Sequence, residues 1–118
     1  MNRLYLSMKL RFEKGTVKVR LSLEEIDTLN SERSIVEKLR ISNGNGFSYS
    51  VQVVDNQESC SMDFGNNSLK ICVPITLANK WKNSNQIGIK EIIETDQGET
   101  ISLIVEEDLP PRKNREKK

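Results

Sequence analysis

Histidine is absent from the 118 residues, and that gap removes imidazole general bases, the usual nucleophilic triads and most zinc sites. Cysteine is nearly as scarce. Cys60 and Cys72 allow one disulfide, but strand alternation sets them on opposite faces of one hairpin, so they are expected to stay unbonded. There is no Cys-x-x-Cys spacing, so no metal site and no cofactor are expected. Reduced thiols fit a cytoplasmic home. No apolar run approaches the roughly 18 to 20 residues of a spanning helix, so no membrane partner is expected. Met1 to Ser7 reaches charged, alternating sequence before any apolar stretch of about 7 to 15 residues, so no secretory signal is expected. That segment is either an extension ahead of a fold beginning at Met8 or a short extra strand through Leu4 and Leu6.

Charge of one sign is also missing, since 18 basic residues stand against 17 acidic ones. No global field draws the chain to nucleic acid or to a membrane surface. The distribution is less even: Met1 to Val54 carries a net +3, Asp55 to Leu109 a net −6, and the remainder a net +4.

What the chain does contain is a repeat of itself. A shift of 52 positions sets Leu10 on Met62, Phe12 on Phe64, Val17 on Leu69, Val19 on Ile71, Leu21 on Val73 and Leu29 on Trp81. The same shift continues through Ile35 on Ile87, Ile41 on Ile93, Gly46 on Gly98, Tyr49 on Ile101, Val51 on Leu103 and Val53 on Val105. Each copy reads as ββαββ. Strands Lys9 to Glu13 and Thr16 to Leu21 alternate around Lys14-Gly15, a two-residue hairpin loop. Ser22 with Glu25 forms a capping box, and Leu21 with Ile26 sits at the staple positions of a helix from Leu23 to about Asn30. Ser34 to Ser42 and Phe47 to Val53 alternate again around Asn43-Gly44-Asn45-Gly46. In the second copy, strands Ser59 to Phe64 and Leu69 to Val73 precede a helix with Thr76 as its expected N-cap. Strands Gln86 to Glu94 and Thr100 to Glu107 follow.

The fold class predicted is α+β and β-dominated: an internally duplicated ββαββ unit forming an eight-stranded, mostly antiparallel barrel or sandwich with two short helices. One domain over residues 1–109, with repeats at about 9–54 and 61–106, would leave residues 110–118 as a disordered basic tail. The apolar faces of the two copies would pack together, with Leu29 and Trp81 as matching plugs at the ends. Phe47, Tyr49 and Trp81 occupy core-phase positions.

No catalytic residue is expected. The carboxylates Glu24 and Glu25 are accounted for by the helix N-terminus, and Glu106, Glu107 and Asp108 by a solvated strand end. The asparagine-glycine stretch at 43–46 fits a turn rather than a phosphate loop. One constellation goes beyond what folding demands: Lys9, Arg11, Lys18, Arg20, Lys38 and Arg40 alternate on the polar face of three strands of the first copy. The second copy has Ser61, Asp63, Lys70, Cys72, Lys90 and Ile92 there. Six cations on one sheet face make an anion-binding candidate, although no aromatic side chain accompanies them for stacking on single-stranded nucleic acid.

Met8-Lys9-Leu10-Arg11, the run from Val17 to Glu25, and Ala78-Asn79-Lys80-Trp81 ahead of Gln86 to Ile89 resemble a family of short, uncharacterised bacterial proteins. The resemblance covers Met8 to about Glu107, excludes the tail, and implies no activity or site residue. One helix per four strands is also similar to the triphosphate tunnel barrels and the double-psi barrels. Tunnel enzymes open on a Glu-x-Glu-x-Lys strand, where this chain has Lys9, Arg11 and Glu13, so the acids that would hold metal are missing. The leading expectation is a non-enzymatic cytoplasmic interaction or scaffold domain, with a protein partner or a homodimer. The alternatives are a polyanion or nucleic-acid binder through the basic face, and a divergent tunnel-type triphosphatase-like domain.

Overall fold

The computed structural model describes residues 8–42, 45–83 and 88–108. The elements run β1 (Lys9–Glu13), β2 (Thr16–Leu21), α1 (Leu23–Glu32), β3 (Ser34–Ser42), β4 (Asn45–Val54), β5 (Ser61–Gly65), β6 (Ser68–Pro74), α2 (Ile75–Lys82), β7 (Gly88–Glu94) and β8 (Thr100–Glu107). They form two four-stranded sheets, ordered β1-β2-β8-β7 and β3-β4-β6-β5. Of the two arrangements expected, barrel and sandwich, the strands take the open one. The expected start of β7 at Gln86 and the expected basic tail lie outside the described residues.

Local signals act as their chemistry requires. Glu25 N–H donates to Ser22 Oγ at 3.1 Å while Ser22 N–H donates to Glu25 Oε1 at 2.9 Å, closing the capping box. Gly15 turns at φ 71°, and Asn66 and Asn67 both take left-handed backbone at φ 53° and 60°. Two successive left-handed residues give the twist that matches a hairpin. The second helix departs from expectation. It begins at Ile75 with Pro74, not Thr76, as N-cap and has no side-chain cap bond. Proline lacks an N–H and its ring already fixes φ near the value that helix entry needs, so the chain turns two residues early.

The sheets are not the two halves of the chain laid face to face. Each contains the first hairpin of one half and the second hairpin of the other, joined by central parallel pairs: β2 on β8 and β4 on β6. The other four pairs are antiparallel. The helices make this exchange possible. A chain leaving the end of β2 passes through α1 to the other sheet, and α2 carries it back from β6.

Registers show how the halves correspond. Lys9 faces Arg20 in β1 and β2, and Ser61 faces Cys72 in β5 and β6, a displacement of 52 for each strand between Arg20 and Cys72 or Lys9 and Ser61. Ile35 faces Val51 and Ile89 faces Val105, so the second hairpins correspond at 54 positions (35 to 89, 51 to 105). The parallel pairs agree: Thr16 faces Ser102, and Ser68, 52 residues on from Thr16, faces Ser48, 54 residues before Ser102. The uniform shift therefore fails beyond the helices. By register Ile35 corresponds to Ile89 rather than Ile87, because β3 begins 11 residues after the start of α1 (34 − 23) and β7 begins 13 after the start of α2 (88 − 75).

A single core fills the space between the sheets, built from Val17, Val19, Leu21, Leu103 and Val105 on one side and Val51, Val53, Leu69, Ile71 and Val73 on the other. Removing each such side chain from water is worth about 1.5–3 kcal/mol before chain entropy is counted. Leu29 of α1 and Trp81 of α2 are buried in it. The helices follow the ends of β2 and β6, where both sheets finish their parallel pairs, so they close the same end of the sandwich instead of one end each. The β1–β2, β5–β6 and β7–β8 turns lie at the opposite end, with the start of β4, and among the described residues no helix lies over it.

Candidate apolar cleft and basic face

At the turn end the two sheets enclose an open cleft of about 650 Å³. Phe12 and Val17 enter it from β1 and β2, Ile93 and Ile101 from β7 and β8, and Phe47, Met62, Phe64 and Leu69 from the second sheet. All are in the inward phase of their strands: Phe12 faces Val17 and Phe64 faces Leu69 across the hairpins. Depth divides them. Val17 and Leu69 are buried at 8% exposure, whereas Phe12 and Phe64 are 61% and 64% exposed. Phe47 lies between the core and the mouth, its ring stacked on Tyr49 at 6.0 Å and tilted against Phe64 at 6.2 Å. Leu39 and Ile41 are also exposed near the end of β3. Asp63, Glu94, Thr95 and Asp96 complete the lining, and among the described residues no basic one joins it.

Strand alternation gives Phe47 a core phase and puts Phe12 and Phe64 on the apolar faces of their strands. A signal was present: Phe12 and Phe64 are the last inward residues of β1 and β5 before their turns, and an inward position at a strand tip is buried only if something caps that tip. Which end the helices cap is a tertiary matter.

The six basic candidates do not share one sheet face. Lys9, Arg11, Lys18 and Arg20 lie on β1 and β2, whereas Lys38 and Arg40 lie on β3 of the other sheet. The reason is the exchange of hairpins, which sends β3 across the sandwich. On the first sheet Lys9 faces Arg20 and Arg11 faces Lys18. Like charges directly opposite repel, and carboxylates stand beside three of the four: Lys9 reaches Asp108 at 2.8 Å, Arg20 reaches Glu106 at 2.8 Å and Arg11 reaches Glu13 at 3.6 Å. Lys18 and Lys90 both face Ile104, so Arg11, Lys18 and Lys90 share a row across the sheet. On the second sheet Lys38 and Arg40 border a shallow polar depression of about 520 Å³ with Ser48, Asn66 and Asn67.

The closed end holds the titratable groups whose surroundings perturb them. Burial raises the Glu25 carboxyl above its ordinary range, and the charges of Glu37 and Asp108 add to this, while the hydrogen bonds with Ser22 oppose it. Burial, then Glu37 and Glu25, raise the Tyr49 phenol, which donates to the Met8 carbonyl at 2.7 Å. Cys60 is pushed up to about 12 by burial and by Glu91, whose carboxylate accepts the Cys60 backbone N–H at 2.6 Å. Both cysteines are free thiols, Cys60 buried and Cys72 half-buried. Among the described residues no group of three or more carboxylates and thiols could hold a metal, and no helix is long and apolar enough to cross a membrane.

Fold and site together define a β-rich α+β sandwich, closed by two helices at one end and open as an apolar cleft at the other. The chain belongs to the family of unknown function DUF7009, whose sequence pattern matches residues 8–117. That match runs past Leu109 and so includes most of the basic segment that the residue resemblance left out. No curated protein and no solved structure matches the chain.

Proposed function

We propose that this domain is a non-enzymatic binding module whose site is the cleft at the turn end. The observation that carries this reading is the exposure of Phe12 and Phe64, 61% and 64%, on either side of an apolar concavity of about 650 Å³. Exposed aromatic side chains around a concave apolar surface mark ligand or partner sites. The occupant presents an apolar group to Phe47, Phe64 and Ile101 and is held by their burial, without covalent chemistry. Titration with a neutral solvatochromic dye such as Nile red tests this. A saturable blue-shifted signal that disappears in the Phe12→Ser, Phe64→Ser double variant supports the reading, and a signal unchanged by the double substitution overturns it.

A second reading, polyanion binding on the first sheet, is favoured by the row of Arg11, Lys18 and Lys90. It is weakened by the carboxylates already paired with Lys9, Arg11 and Arg20. Retention on a heparin matrix, compared between the wild type and Lys18→Glu, decides it: equal retention removes the reading. The free thiols support a cytoplasmic setting, and the shared strand registers support an origin by internal duplication.

A further inference from the structure

Building on the reading of the cleft as a binding site, we infer that its occupant is the segment 109–118 of a second copy of this chain. Charge selects among occupants. Among the described residues the cleft is lined by Asp63, Glu94 and Asp96 and by no cation, so two clefts placed mouth to mouth would set carboxylate against carboxylate. A partner with an apolar block followed by positive charge meets both features of the site. Residues 109–118 have that order: Leu109, Pro110 and Pro111, then Arg112, Lys113, Arg115, Lys117 and Lys118 against Glu116 alone. The family match extends to residue 117, so this segment belongs to the same unit as the sandwich.

Chain geometry requires the contact to be made between copies. Asp108 is fixed at the closed end, its N–H donating to the Leu21 carbonyl at 2.7 Å. The cleft lies at the other end of β8, whose eight residues span about 26 Å. Leu109 to Pro111 reach only about 11 Å from Asp108 even when fully extended. The apolar block therefore cannot enter its own cleft, but nothing limits its approach to a neighbour's. Two successive prolines favour extended backbone, a shape that fits a slot between two sheets. A contact of closed end to open end is heterologous, so association continues beyond two copies unless the rotation closes a ring.

The test uses the full chain, with mass measured by light scattering over a range of concentrations at low and high salt. The inference expects mass that rises with concentration at low salt and falls back toward the monomer when salt screens the charges. The full-length triple variant Arg112→Glu, Lys113→Glu, Arg115→Glu is expected to remain monomeric, and so is Glu94→Lys, Asp96→Lys. Mixing the two is expected to restore association through the reversed pair. Circular dichroism melting of each variant controls for folding. A monomeric wild type at every concentration, or association unchanged by the tail substitutions, overturns the inference. Nile red binding by the tail variant separates the two failures. If the dye binds while association ignores the tail, only the occupant is wrong; if the dye binds neither protein, the cleft reading falls as well.

Discussion

Phe12 and Phe64 occupy corresponding positions on β1 and β5, one in each sheet, and each leaves more than half of its surface in water. Each faces a buried aliphatic residue across its hairpin, Val17 for Phe12 and Leu69 for Phe64. The aromatic pair thus stands at the edge of the core, where it adds little to folding and much to the character of the open end.

A substitution test follows directly. Phe12→Ser and Phe64→Ser are each expected to cost about 1 kcal/mol or less in urea denaturation, the fraction of a Phe burial that a largely exposed ring retains. Leu103→Ala, at a fully buried position, is expected to cost about 2–5 kcal/mol. Equal losses at the two kinds of site would place Phe12 and Phe64 in the core and remove the argument for a site.

The Ser22 and Glu25 pair makes a prediction with a pH sign. Glu25→Gln keeps an acceptor for the Ser22 N–H, whereas Glu25→Ala leaves that donor unmatched and is expected to cost about 1–2 kcal/mol at neutral pH. Because burial raises the Glu25 carboxyl, the unfolded chain releases this proton first as pH rises. Its contribution is fully present below the unfolded carboxylate range and is lost as pH climbs through the folded one. Wild type should therefore lose stability relative to Glu25→Gln between mildly acidic and neutral pH. Denaturation midpoints at a series of pH values measure the difference, and a gap that moves the other way contradicts the burial argument.

Thiol reactivity separates the two cysteines. The thiolate is the reacting species, and Cys60 is buried with its thiol pushed up to about 12. Iodoacetamide at mildly alkaline pH is expected to label the half-buried Cys72 in the native protein and Cys60 only after denaturation. Peptide mapping by mass spectrometry reads the order, and labelling of Cys60 first would show that its shell is open.

Two glycines are fixed by contact with the opposite strand. A Cβ on Gly88 would lie 2.3 Å from the Val105 carbonyl oxygen, and one on Gly46 would lie 2.5 Å from that of Leu39. Backbone cannot retreat as a flexible side chain can, so Gly88→Ala and Gly46→Ala are each expected to destabilise by about 1–3 kcal/mol. Gly65→Ala, with open space around the position, is expected to change the thermal midpoint little.

Much of the fold was legible because its signals are local. Alternation marks a strand wherever it lies, so the spans of β1, β2, β3 and β8 can be read from the residues. The Ser22 and Glu25 box fixes the start of α1 with atoms three residues apart. Phase also set Cys60 and Cys72 on opposite faces of their hairpin, and the structure buries Cys60 and leaves Cys72 half-buried. What alternation cannot carry is the choice of neighbour. An inward face is apolar whether its strand pairs with its own copy or with the other, and so the sequence offered no means of seeing that β2 joins β8 and β4 joins β6. That one choice decided the rest. It moved Lys38 and Arg40 to a different sheet from Lys9, Arg11, Lys18 and Arg20, brought Glu106 beside Arg20, and put both helices at one end. With that end closed and the other left open, Phe12 and Phe64 became the mouth of a cleft instead of part of a core. Pattern by itself determined which residues turn inward; only the packing of the two sheets decided which of them water still reaches.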